Sequence, residues 1–150
     1  MQFEYLTYSK ESHIVTLTLN RPERLNSISP PMNLELWEAL NTFREDKDAW
    51  VCILTGAGDR AFCAGNDIVG PSKPLSQNSQ HQVKLQIGSG PIGLHKLITT
   101  IKDFPKPTVV LMQGFALGAG YDLATSCDIR VATTDCKIGD PRVHRAPPGA

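Results

Sequence analysis

Gly114-Phe115-Ala116-Leu117-Gly118-Ala119-Gly120-Tyr121-Asp122-Leu123-Ala124 is the stretch on which the fold turns. It follows an apolar run, Thr108 to Met112, that reads as a buried strand. It leads into Tyr121 to Cys127, which reads as a helix. Small residues let a backbone come close to a ligand, and the free N–H groups of a helix start point outward. No Lys-Ser/Thr pair follows the glycines, so this is not a phosphate loop of the Walker type. Tight helix–sheet packing through small residues would demand the same composition. The loop taken alone does not choose between the two.

A second glycine-rich stretch lies upstream, Gly56-Ala57-Gly58-Asp59-Arg60-Ala61-Phe62-Cys63-Ala64-Gly65-Asn66-Asp67-Ile68, after the strand-like run Trp50 to Leu54. It contains Gly-x-Gly-x-x-Ala, a loose dinucleotide fingerprint. Two features argue against that function. A Rossmann helix should begin inside the motif, yet Gly65 and Asn66 follow at once. The fingerprint also needs an acid about twenty residues on to hold a ribose, and no Asp or Glu occurs between Ile68 and Lys102.

Outward from the two loops the chain alternates strand and helix. Phe3 to Ser9 and Ile14 to Leu19 read as a hairpin, with polar Lys10 to His13 as its turn. Arg21-Pro22 stops the second strand, because proline cannot donate to a ladder. Ser29-Pro30 starts a helix, the serine as cap and the proline at the first helical position. Leu36, Trp37, Leu40 and Phe43 recur at helical spacing after it. Gly70 to Gly90 is rich in Ser, Gln, Pro and Asn and reads as a loop, with a short helix around His81 to Ile87. A helix from Ile92 to Phe104 ends at Pro105 and Pro107. Ile129 to Thr133 reads as a last strand. This order predicts one α/β layered domain, with ligands bound just past the strand ends.

Composition adds exclusions. The chain has 150 residues, enough for one real core. Fifteen basic residues balance fifteen acidic ones, so neither a basic nucleic-acid surface nor an acidic tail is indicated. Cys52, Cys63, Cys127 and Cys136 form no Cys-x-x-Cys pair and read as reduced thiols of an intracellular protein; no metal site is expected. The N-terminus does not read as a secretory signal, and no apolar run approaches bilayer length. The expected location is the cytosol or an organelle matrix.

Taken together, the two loops resemble the crotonase (enoyl-CoA hydratase/isomerase) family. The first resembles its Ala-Phe-x-Ala-Gly-x-Asp loop. The second resembles its Gly-x-Ala-x-Gly-Gly-Gly-x-Glu-Leu-Ala loop, followed by a Cys-Asp pair that here is Cys127-Asp128. Arg21-Pro22 with Leu25-Asn26 resembles the family's Arg-Pro…Leu-Asn-Ala-Leu segment, and Lys106-Pro107 before a strand also fits. The resemblance covers almost the whole chain in order. It implies a spiral of ββα repeats lacking its C-terminal helical part, and trimer-based homo-oligomers for the full-length form. It implies an acyl-CoA ligand, with coenzyme A carried by the substrate and no other cofactor.

The resemblance also implies an oxyanion hole. The thioester carbonyl would accept from the N–H groups of Asn66 and Ala119, with Gly65 and Gly118 making room. Arg24, Leu25, Ala64, Asp67 and Ile68 would flank the nucleotide and pantetheine, whereas Asn26 is expected to hold a turn. Ala119 replaces the usual middle glycine, which is tolerable if its methyl points away from the acyl chain. The family's first catalytic glutamate is matched by Asp122, three residues after Ala119, as in its dienoyl isomerases. The alternative is a carboxylate satisfied within the helix's first turn. The second glutamate is not matched: in Gly139-Asp140-Pro141-Arg142-Val143, Arg142 stands where the acid is expected. That departure speaks against simple hydration, which needs two carboxylates around the water. It leaves open an isomerase, another crotonase chemistry, or a catalytically silent acyl-CoA-binding or subunit-interaction homologue.

Overall fold

The computed structural model describes residues 3–67 and 93–141. Strands β1 (Leu6–Glu11) and β2 (Ile14–Leu19) form the expected hairpin, Leu6 opposite Leu19 and Glu11 opposite Ile14. The turn is shorter than its polar sequence suggested, because Lys10 and Glu11 pair in the ladder and only Ser12-His13 turn. Helix α1 (Pro30–Glu45) begins as expected. Ser29 is extended, and its hydroxyl accepts from the Met32 N–H at 3.4 Å. Leu36, Leu40 and Phe43 face the core from this helix, with Trp37 half-buried beside them.

From here the chain repeats one unit. β3 (Val51–Gly56) enters a large sheet, β4 (Ala61–Cys63) enters a small one, and helix α2 (Leu94–Lys102) returns the chain. β5 (Thr108–Met112), β6 (Phe115–Leu117) and α3 (Ala119–Ser126) repeat it, and β7 (Ile129–Ala132) with β8 (Lys137–Gly139) start a third turn. The large sheet runs β1-β2-β3-β5-β7, parallel after the opening hairpin; the small sheet runs β4-β6-β8, all parallel. This is the spiral of ββα turns that the resemblance implies. The small sheet is a finding beyond the sequence reading, which placed β4 and β6 in loops and β8 nowhere. Gly56-x-Gly58 therefore leads into a strand rather than a Rossmann helix.

Alternation fixes what each strand buries. Val15 pairs with Cys52 and Leu17 with Leu54, and Cys52 and Leu54 pair in turn with Thr108 and Val110. All six lie on the face covered by the helices, where Leu36, Phe43, Leu97, Ile101 and Leu123 close the core. Each large apolar side chain buried there contributes about 1.5–3 kcal/mol. The opposite face carries the paired Val109–Ile129 and Leu111–Val131, and Leu111, Ile129 and Val131 are exposed.

Two clips hold the turns together. The Asp128 carboxylate accepts from the Thr108 N–H and hydroxyl, both at 2.8 Å, and the Asp128 N–H donates back to the Thr108 carbonyl. The Cys-Asp pair of the motif thus joins the starts of β5 and β7. The Lys106 ammonium donates to the Phe43 and Asp46 carbonyls at 2.7 and 2.6 Å, over the Phe43 ring, and so caps the end of α1. Among the described residues no helix is long and apolar enough to cross a membrane.

Candidate active site at the meeting of two glycine loops

The first loop is held by a hook, residues 21–28, laid along it. Leu25 and Asn26 both adopt left-handed backbone, φ +51° and +53°, an uncommon pairing outside glycine. The hook is tied across by side chains. Asn26 is fully buried: its Oδ1 accepts from the Arg21 N–H, and its Nδ2 donates to the Ala57 and Ala61 carbonyls at 2.9 and 2.8 Å. The turn-holding role expected for Asn26 is what its contacts perform. Gly56 must be glycine here, since a Cβ would lie 2.8 Å from the Asn26 amide and 2.4 Å from the Phe62 carbonyl.

Backbone bonds then set the loop. The Ala64 N–H donates to the Leu25 carbonyl, the Ile28 N–H to the Gly65 carbonyl and the Asp67 N–H to the Ile28 carbonyl. Ile28 thereby bridges Asn66 in parallel fashion. In such a bridge the N–H of the bridged residue points away, and the Asn66 N–H donates to no described residue.

The second loop arrives through β6. Gly118 has φ +54° and ψ −117°, a conformation essentially reserved for glycine, and its N–H donates to the Gly139 carbonyl of β8. Ala119 opens α3, so its N–H is one of the orphan donors of a helix start. The loops touch: a Cβ on Gly65 would lie 3.1 Å from the Leu117 carbonyl and 3.6 Å from the Ala119 nitrogen, and one on Gly118 would lie 3.9 Å from the Gly65 Cα. Gly65 itself has φ +108°. Glycine therefore serves both conformation and close approach at 65, and conformation at 118.

The three residues Gly118-Ala119-Gly120 divide their work. Ala119 is 2 % exposed and packs in the core cluster, so its methyl points inward. Gly120 packs directly on β4: a Cβ would fall 2.2 Å from the Cys63 carbonyl oxygen. Tight packing, one of the two explanations for the glycines, is thus realised at Gly120.

Asp122 lies one turn along α3, half-buried, and positions three apart on a helix are neighbours on one face. Its N–H donates to the Gly118 carbonyl, and its own carbonyl accepts from the Ser126 hydroxyl. Asp67 turns inward: its carboxylate pairs with Arg21 at 2.9 Å, with side chains only 10 % and 5 % exposed. Contact between Asp67 and a ligand would therefore be made by backbone. This ion pair was not visible in the sequence. Arg24 is half-buried on the short helical turn Pro22–Arg24 and forms no ion pair with a described residue. Ile68 and Arg142 lie outside the described residues, as do the expected loop at 70–90 and its helix. A cleft of about 210 Å³ opens at Asn66, walled by Ile28, Pro30, Asn33 and Leu94.

All four cysteines are free thiols. Burial pushes Cys52 and Cys63 up to about 12 and Cys127 to about 11, so none of the three is a thiolate nucleophile near neutrality. Among the described residues no group of His, Cys, Asp and Glu is placed to hold a metal ion.

Comparison with known proteins agrees with this architecture. The enoyl-CoA hydratase/isomerase family pattern matches residues 9–144. The chain is 33% identical over 143 residues to crotonyl-CoA hydratase of Syntrophomonas wolfei, covering 95% of this chain and 52% of that protein. It is 35% identical over 139 residues to 1,2-epoxyphenylacetyl-CoA isomerase of Escherichia coli, covering 90% and 50%. Among solved structures, an enoyl-CoA hydratase from Bacillus anthracis superposes with a TM-score of 0.79 at 28% identity, over 96% of this chain and 53% of that one. The chain spans about half the length of the curated relatives it matches. Motif order, the two-sheet spiral and these matches agree: the chain belongs to the enoyl-CoA hydratase/isomerase family, and corresponds to the N-terminal portion of its crotonase fold.

Proposed function

We propose that this chain binds an acyl-CoA thioester and stabilises its enolate, the carbonyl oxygen accepting from the Asn66 and Ala119 N–H groups. The observation that carries this reading is the contact of the two glycine loops, which sets the Gly65 backbone against the Ala119 nitrogen. Chemistry that removes a proton beside a thioester drives an electron pair onto the carbonyl oxygen. Fixed donors stabilise that charge without reorganising, and loss of one costs about 3 kcal/mol. In this reading Asp122 takes the proton from one carbon and returns it to another, which is isomerase chemistry. Crotonase chemistry of this kind is favoured over simple hydration because Arg142 replaces the second acid. The same replacement favours, as the second reading, a homologue that binds acyl-CoA without turning it over.

The cleft beside Asn66 would take the acyl chain, its apolar side formed by Ile28, Pro30 and Leu94. Coenzyme A would pass along Leu25 and Ala64, with Arg24 toward its phosphates. No cofactor beyond that coenzyme A enters the scheme. For the full-length protein we propose trimer-based homo-oligomers in the cytosol or an organelle matrix. The exposed Leu111, Ile129 and Val131 support further protein covering that sheet face.

The test is calorimetry with crotonyl-CoA and acetoacetyl-CoA on the parent and on Ala119→Pro. Ala119 is the first helical residue, where proline is best tolerated; the change removes the N–H and puts the ring Cδ in its place, so the variant is first checked for folding by circular dichroism. Binding that the variant loses supports the oxyanion hole. A folded parent that binds neither thioester refutes it.

A further inference from the structure

Two backbone bonds through Ile28 set the direction of the Asn66 N–H, and a two-bond bridge is a weak register on its own. Arg21 reinforces it from the side. One guanidinium nitrogen, Nη1, donates to the Ser27 carbonyl at 2.8 Å, and the other, Nη2, donates to the Asp67 carboxylate at 2.9 Å. Ser27 is the neighbour of Ile28, and Asp67 is the neighbour of Asn66. A single rigid, planar group therefore spans the residues flanking both members of the bridge. Arg21 is itself fixed. Its N–H is held by Asn26, its carbonyl accepts from the Arg24 and Asn26 N–H groups, and its guanidinium lies 5.5 Å over the Tyr5 ring. Only 8 % of the residue is exposed, so water competes little for these bonds.

We infer that Arg21 is a positioning residue for the oxyanion hole, clamping the Asn66 N–H in its productive direction through Ser27 and Asp67. The inference rests on the acyl-CoA reading above and assigns Arg21 no contact with the ligand. Lysine cannot replace it, because an ammonium is a point donor without the planar fork that reaches two fixed acceptors at once.

Arg21→Lys and Asp67→Asn are compared with the parent by two measurements. The first is amide hydrogen exchange. In Arg21→Lys the Asp67 and Ile28 amides should exchange at least tenfold faster, with Leu36 of α1 unchanged. The second is the affinity for acetoacetyl-CoA relative to coenzyme A, which has no thioester carbonyl. Arg21→Lys should lower that preference at least fivefold while holding coenzyme A affinity within twofold. Asp67→Asn keeps a neutral acceptor for the fork but takes the carboxylate from a buried guanidinium, and should lower the preference less than Arg21→Lys does. Retained protection at Asp67 in Arg21→Lys overturns the clamp. Faster exchange with an unchanged preference overturns its link to the oxyanion hole, as does an equal loss of both affinities. A parent that binds coenzyme A with no preference for acetoacetyl-CoA refutes the acyl-CoA reading itself, and amide exchange still reports on the clamp.

Discussion

Replacing Asn26 tests whether the hook is built as described. The side chain makes three hydrogen bonds inside the protein, two of them buried and the one to the Ala57 carbonyl part-buried. Asn26→Ala leaves the Arg21 N–H and the Ala57 and Ala61 carbonyls short of a partner. Each buried orphan costs about 1–3 kcal/mol, less for carbonyls that keep another bond. Alanine also tolerates φ +53° less well than asparagine, adding about 1 kcal/mol. The expected loss is about 3–5 kcal/mol, a large share of a domain's total stability. Asn26→Asp sharpens the test because the shape is nearly unchanged. The Arg21 N–H keeps its acceptor, but two carbonyl oxygens then face a carboxylate oxygen in place of a donor. A loss of about 3 kcal/mol is expected at pH 7. With a urea m-value of about 2 kcal/mol/M, the unfolding midpoint should fall by about 1.5 M. Protonating the new carboxyl restores one donor, so the deficit should shrink below pH 5. A urea midpoint for Asn26→Asp within about 0.3 M of the parent at pH 7 would refute the reasoning.

Three further outcomes follow from the same geometry. Gly120→Ala should cost about 1–3 kcal/mol in urea unfolding, because its Cβ must displace the Cys63 carbonyl from 2.2 Å, whereas Gly118→Ala meets only ordinary contact with the Gly65 Cα at 3.9 Å and should cost about 1–2 kcal/mol through backbone strain. Thr108 holds the Asp128 carboxyl below the usual range, first through its N–H and then its hydroxyl. A depressed folded value stabilises above the unfolded value and is lost on acidification, so an Asp128→Asn deficit at pH 7, held to roughly 0.5 kcal/mol because water screens this exposed carboxylate, should close below about pH 4. Asp122→Asn should slow proton–deuterium exchange beside the thioester of a bound acyl-CoA by about 10²-fold or more, with affinity held within threefold; exchange at the parental rate, followed by NMR, would remove Asp122 from the proton path.

The sequence carried the elements that are long enough to show a period. The alternation of Val15, Leu17 and Leu19, the Ser29-Pro30 start and the spacing of Leu36, Leu40 and Phe43 each have a local physical cause, and each appears in place. The small sheet was not legible, because three-residue strands are too short to alternate. Its one signal was the apolar triple Ala61-Phe62-Cys63 inside a polar loop, and all three prove buried. At the site, the loops were found through their glycines, and the fold brings Leu25, Ala64, Gly65, Asn66, Gly118 and Ala119 together. The Arg21–Asp67 pair was hidden by 46 residues of separation, and no local rule joins charges that far apart. The division of Gly118, Ala119 and Gly120 into backbone conformation, core and packing likewise depends on the tertiary setting of each residue.

The small sheet also sets a timetable. Its strands come from three successive turns, with β6 in the middle, and the Gly118 N–H leans on the Gly139 carbonyl of the third. A chain leaving the ribosome can close the β1–β2 hairpin early, since its pairs are local. The two loops cannot meet until β6 pairs, and the second is not buttressed until residue 139 emerges, several seconds after residue 66 at about 5–20 residues per second. Until β6 emerges, the Ala61-Phe62-Cys63 strand lacks its partner and has both edges unpaired. The nascent protein thus exposes an apolar strand beside the first glycine loop for that time.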